Sequence, residues 1–165
     1  FLNSIRLLES NYKEVIKVKF IGSIHPEIMN TTEKLGLESI IEFPGYVPHT
    51  TGINEIINSE ILLLMIPKNS GEGVITGKLF EYIGTGNLIW VISDDSNKEL
   101  SSILESYGKG DIFDYNKSLK TNLEKVIDEW RNSEMQLPIS SNNDRFTRKY
   151  KTEELVEIFE SITKA

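Results

Sequence analysis

The chain has 165 residues, 39% of them hydrophobic and 26% charged, which suffices for one domain-sized core without staples. A formal net charge of −7 opposes general nucleic-acid binding, while leaving room for a local basic pocket around a single diphosphate. There are no cysteines and only two histidines, His25 and His49, which excludes disulfides, thiolate metal sites and a histidine-rich metal centre.

Residues 61–66 form the longest apolar run, a buried strand's worth and far short of a transmembrane segment. The first residues do not read as a signal peptide, and a cytoplasmic, reducing location is the expectation, with a targeting segment before Phe1 left open.

Phe1, Leu2, Ile5, Leu8 and Tyr12 recur at helical spacing, and the chain is expected to open inside an amphipathic helix. Residues 15–21 read as a strand ending at Gly22-Ser23. Pro26 suits a first helical position, and the helix from Glu27 should stop near Gly36. Residues 40–43 read as a second strand, closed by Pro44-Gly45. Thr50-Thr51 are expected to cap a helix through Ile57, with Glu55 reaching back.

Residues 60–66 are a third strand, aliphatic enough to be buried on both faces. A glycine-rich loop follows over 67–73, then a helix over about 74–85. Residues 88–92 are a fourth strand, 98–107 a helix, 111–115 a short strand and 119–131 a helix. A linker over 137–144 leads to a closing amphipathic helix at 151–162. This alternation argues for an α/β, Rossmann-like, doubly wound and mainly parallel sheet with helices on both faces. Phe20, Ile41, Leu63 and Val91 are expected to be buried in it. The expected organisation is one domain over 1–136, with 137–165 its linker and closing helix.

In open α/β sheets, ligands sit beyond the carboxyl ends of the strands, so the loop Lys68-Asn69-Ser70-Gly71-Glu72-Gly73 is the richest candidate. Its glycines permit close backbone approach, and free amides at a helix start suit a phosphate. Lys78, Glu81 and Thr85 share one face of the following helix, while Ile75, Leu79, Tyr82 and Ile83 cover the other. A lysine there could neutralise a diphosphate, and a carboxylate one turn deeper could accept from a ribose diol. Spacing alone favours a plainer reading, a Lys78–Glu81 ion pair on a solvated face.

The run Gly77-Lys78-Leu79-Phe80-Glu81-Tyr82-Ile83-Gly84-Thr85-Gly86 resembles the G-K-L-F-E-Y-x-x-x-G segment of bacterial group 1 glycosyltransferases of the GT-B fold. Phe20-Ile21-Gly22, the stretch Glu42-Phe43-Pro44-Gly45-Tyr46-Val47 and residues 60–67 are similar to that family's successive strands and loops, in the same order.

The resemblance implies a C-terminal domain that grips a nucleoside diphosphate sugar. In this reading Gly73, Val74, Ile75, Thr76, Gly77 and Lys78 meet the phosphates and Glu81 holds the ribose. Gly45, Tyr46 and Val47 border the base, and Glu72 is a candidate sugar contact.

Two features depart from the family's pattern. Glu72 and Glu81 stand one residue further apart than its usual glutamate pair, and Gly73 occupies the strict position. Gly86-Asn87-Leu88 replaces its usual Gly-x-Pro.

The family's central first strand, a phosphate-binding basic residue and the acceptor-binding domain are expected before Phe1. The strands at 18–21 and 61–66 should therefore pair directly, borrow a strand or leave a gap, the gap being least favoured because unpaired backbone groups on buried strands are costly. The partners implied are the donor and that N-terminal domain, with no nucleic acid, metal, cofactor or membrane span. No catalytic residue is expected here, so the chain alone should be inactive, and the full enzyme could sit at the inner face of the membrane. A non-catalytic α/β binding module and a GT-B-type sugar-nucleotide epimerase domain stay open as alternatives.

Other residues have structural readings. His25 is expected to cap a helix, His49 to lie in an exposed loop and Trp90 to be core. Asp94-Asp95 should serve helix capping, and Glu124, Asp128 and Glu129 a solvated helix face.

Overall fold

The apolar runs become strands and the segments between them become helices in the computed structural model, which describes residues 1–68, 75–93, 98–132 and 146–163. The order is α1 (Leu2–Arg6), α2 (Ser10–Lys13), β1 (Val18–Ile21), α3 (Pro26–Lys34), β2 (Ile41–Gly45), α4 (His49–Ile57), β3 (Ile61–Met65), α5 (Gly77–Thr85), β4 (Leu88–Ile92), α6 (Lys98–Tyr107), β5 (Gly110–Phe113), α7 (Lys120–Arg131) and α8 (Arg148–Thr163). Every strand pairing among the described residues is parallel. The architecture is α/β, with parallel sheets flanked by helices, as the alternating pattern requires.

The strands form two sheets, β1-β2 and β3-β4-β5, rather than the single sheet expected. Among the described residues β1 bonds only to β2 and β3 only to β4. The pairing of residues 18–21 with 61–66 is therefore not made, and no described segment supplies a strand to either. The chain divides into two compact units, Phe1–Glu55 with Asn116–Gln136, and Ile56–Tyr115 with Leu137–Ala165.

In the first unit, the helix expected over residues 1–12 is two short ones, with Glu9 extended between them (φ −71°, ψ 161°). Ser10 and Asn11 stand at the break, and both residue types favour helix ends over interiors. Helix α1 packs on α7 through a buried polar tie: the Leu119 amide donates to Ser4 Oγ at 2.9 Å. The phenol of Tyr12 donates to Asp128 Oδ2 at 3.0 Å, and the Arg131 guanidinium stands 5.1 Å from the Tyr12 ring. Strand β2 contains Pro44, which has no N–H to donate, and the β1-β2 register slips between Lys19↔Glu42 and Ile21↔Gly45.

In the second unit, β4 is the middle strand and almost wholly buried, with Ile89 and Val91 on one face and Trp90 and Ile92 on the other. One face carries the core: Leu64 and Ile66, Ile89 and Val91, Leu79 and Ile83 of α5, and Leu100, Leu104 and Tyr107 of α6. On the other face Trp90 meets Phe113 edge-on at 5.2 Å. Strand β3 is buried on one face only: Leu62 and Leu64 are inside, Ile61 and Leu63 half-buried and Met65 exposed. Of the four residues expected inside, Ile41 and Val91 are buried, whereas Phe20 and Leu63 are half-buried. Phe20 stacks on Phe43 at 5.7 Å, which covers one side of its ring.

Candidate functional site

Helix α5 starts at Gly77, not near Val74, and Thr76 is its N-cap in extended conformation (φ −84°, ψ 145°). Ile75 and Thr76 are β-branched and lose side-chain freedom in a helix, and threonine favours the capping position. The first-turn amides are consequently those of Gly77, Lys78 and Leu79, the last already donating to the Thr76 carbonyl at 3.0 Å. Thr76 Oγ1 makes no capping bond and is a buried hydroxyl with no hydrogen-bond partner among the described residues. Glu72, Gly73 and Val74 lie outside the described residues, as do Asp94 and Asp95.

The two faces of α5 are as the spacing predicts. Leu79 and Ile83 are buried in the core, with Ile75 and Tyr82 packed against it. Burial pushes the Tyr82 phenol above its ordinary pKa, with the Lys78 ammonium opposing. Lys78 and Glu81 point outward, their side chains 48% and 47% exposed, and Lys78 Nζ lies 3.0 Å from Glu81 Oε2. Thr85 is diverted from that face: its hydroxyl donates to the Tyr82 carbonyl at 2.7 Å and accepts from the Asn87 amide at 3.2 Å. Gly86, in the left-handed region at φ 78°, then turns the chain into β4.

Asn87 is the anchor that sequence reasoning missed. Its side-chain amide donates to the carbonyls of Ile56 at 3.0 Å, Ile57 at 3.1 Å and Ser59 at 2.7 Å. Its own carbonyl accepts from the Tyr107 phenol at 2.6 Å. The only sequence signal was the replacement of Gly-x-Pro by Gly86-Asn87-Leu88. Lys68, which heads the candidate loop just beyond β3, makes a contact the sequence does not foretell: its ammonium stands 5.0 Å from the centroid of the Tyr115 ring.

The other expected contacts, Gly45, Tyr46 and Val47, belong to the first unit. Gly45 ends β2 at φ 73°, where a side chain would be strained, and its carbonyl accepts from the Gly22 amide at 2.8 Å. Tyr46 is 94% exposed and Val47 half-buried.

The histidines divide. His25 Nδ1 accepts from the Glu27 amide at 3.3 Å and caps α3, as expected. His49 is the first residue of α4 instead of lying in a loop, so Thr50 and Thr51 fall inside the helix. Glu55 does not reach back to a cap; it pairs with Lys19 at 2.8 Å. That contact holds the Lys19 ammonium above its ordinary pKa. No group of three or more acidic or histidine side chains among the described residues could hold a metal ion. No helix among them is long and apolar enough to cross a membrane.

No protein-family model matches the chain, and no curated protein sequence does. Among solved structures, the chain is similar to the crystal structure of Anabaena HepE in complex with UDP. The TM-score is 0.68 at 12% sequence identity, over 97% of this chain and 44% of that one. A likeness at that identity establishes the Rossmann-like fold, and the chain spans less than half the length of the structure it matches.

Proposed function

We propose that this chain is the nucleotide-diphospho-sugar-binding half of a group 1, GT-B-type glycosyltransferase. The observation that carries the reading is the fold likeness over 97% of the chain to a structure held with UDP. The outward Lys78 and Glu81 of α5 support it locally. The full protein would break the bond between the anomeric carbon and the donor's diphosphate and pass the sugar to an acceptor. The nucleoside diphosphate leaves with the bonding electron pair.

A leaving diphosphate is stabilised by preorganised amides and cations. Gly77 and Lys78, with the segment from Gly73 to Thr76 before them, take that role. Glu81 accepts from the ribose hydroxyls, Gly45, Tyr46 and Val47 border the base, and Glu72 is the sugar contact. No metal or cofactor enters this scheme. The acceptor site and any base belong to the remainder of the protein, so this chain alone transfers nothing. A cytoplasmic location, with the full enzyme at the inner face of the membrane, fits a nucleotide-sugar donor.

The test is to titrate the isotope-labelled chain with UDP, GDP and ADP and follow the backbone amides. Saturable shifts in residues 77–81 with at least one nucleotide are expected. No shift there at high concentrations of all three would remove the reading.

A further inference from the structure

Lys68 lies two residues beyond Ile66, whose amide donates to the Ile92 carbonyl at 3.0 Å at the carboxyl end of the β3-β4 ladder. Its ammonium stands 5.0 Å from the Tyr115 ring, which follows β5. Since β4 lies between β3 and β5, the lysine reaches across the carboxyl end of the central strand. Ile75, next to the N-cap of α5, packs against the same apolar cluster that contains Ile66. The start of α5 and Lys68 therefore share one edge of this sheet, the edge where open α/β sheets take their ligands.

The two lysines of this edge differ in what already occupies them. Each stands near an aromatic ring, Lys78 5.7 Å from that of Tyr82, but Lys78 is also paired with Glu81, whereas Lys68 has no ion-pair partner among the described residues. An aromatic face attracts an ammonium without neutralising it. It also restrains a flexible four-carbon stem, which lowers the ordering cost when an anion binds. The ammonium is thus held at the same sheet edge as a helix start that itself favours anions.

We propose that Lys68 is a diphosphate-binding cation of the donor site, stationed by the Tyr115 ring, and that it contributes more to nucleotide affinity than Lys78. The proposal rests on the nucleotide-sugar reading above. A diphosphate fits because it offers several anionic oxygens to one lysine and to the free amides of a helix turn.

The experiment compares the wild-type chain with Lys68→Ala, Lys68→Arg, Lys78→Ala, Tyr115→Phe and Tyr115→Leu. Each is titrated with whichever of UDP, GDP and ADP binds best, and with the matching nucleoside. Lys68→Ala is expected to weaken the nucleoside diphosphate about tenfold or more, beyond the effect of Lys78→Ala, and to leave the nucleoside unchanged. Lys68→Arg should retain most of the affinity. Tyr115→Phe, which keeps the ring, should match wild type, and Tyr115→Leu should lose affinity for the diphosphate alone. Unchanged diphosphate affinity in Lys68→Ala, or equal losses for diphosphate and nucleoside, would overturn the proposal while leaving the donor-binding reading intact. If the wild-type chain binds none of the three nucleotides, the reading and the proposal fall together.

Discussion

The ammonium of Lys78 and the carboxylate of Glu81 meet at 3.0 Å on the outer face of α5, each about half exposed. A helix pair of this kind is worth about 0.5 kcal/mol or less in water, because solvent screens the attraction and two long side chains must be ordered. A ligand can therefore separate the pair at little cost. Lys78→Ala and Glu81→Ala should each shift the melting temperature by no more than roughly 2 °C, read by circular dichroism. A loss several times larger would mean that the pair serves the fold.

Asn87 is the opposite case. It is 9% exposed and spends its two amide hydrogens on three carbonyls, those of Ile56, Ile57 and Ser59. Asn87→Ala should destabilise the unit that holds it by about 2–3 kcal/mol, measured by urea unfolding. Asn87→Asp should cost more, since it sets a negative charge against those oxygens. If the aspartate variant were as stable as wild type, the assigned bonds would be wrong.

Tyr107 donates to the Asn87 carbonyl at 2.6 Å, and burial pushes its phenol up to about 12 from the ordinary 10.0. The folded state thus favours the protonated phenol. The resulting stabilisation is complete below pH 10 and is lost as the pH rises towards 12. Wild type should exceed Tyr107→Phe by about 1 kcal/mol at neutral pH. That advantage should shrink above pH 10, as read from denaturant unfolding at each pH. A constant difference up to pH 12 would contradict the buried phenol.

The sequence exposed the elements whose signal is local. The strand at Leu88–Ile92 and the helix at Lys98–Tyr107 were legible to the residue, because an apolar run and a helical period need no distant partner. The inward face of α5 followed from the spacing of Leu79 and Ile83. Starts of helices were less legible. Thr50-Thr51 and Val74 each offered a plausible initiation, yet α4 begins at His49 and α5 at Gly77. Capping is decided by a few backbone angles rather than by periodicity. Glu55 was misread because its partner, Lys19, is remote in sequence. Asn87 and the Lys68–Tyr115 contact were missed for the same reason, since folding alone brings their partners together. The division into two sheets is the outcome the sequence favours least, as local patterning names strands and not their neighbours.

Whether α5 holds the ribose and diphosphate of a nucleotide sugar is decided by one ratio. It is the dissociation constant of the best-binding nucleoside diphosphate for Glu81→Ala over that for wild type, from NMR titrations at one ionic strength. Loss of a charge-assisted hydrogen bond costs about 1.5–3 kcal/mol, so a ratio of roughly ten to a hundred is expected, with both chains still folded. A ratio of one, with the nucleotide bound equally well by both, would contradict that role and leave Lys78 and Glu81 as an ion pair on a solvated helix face.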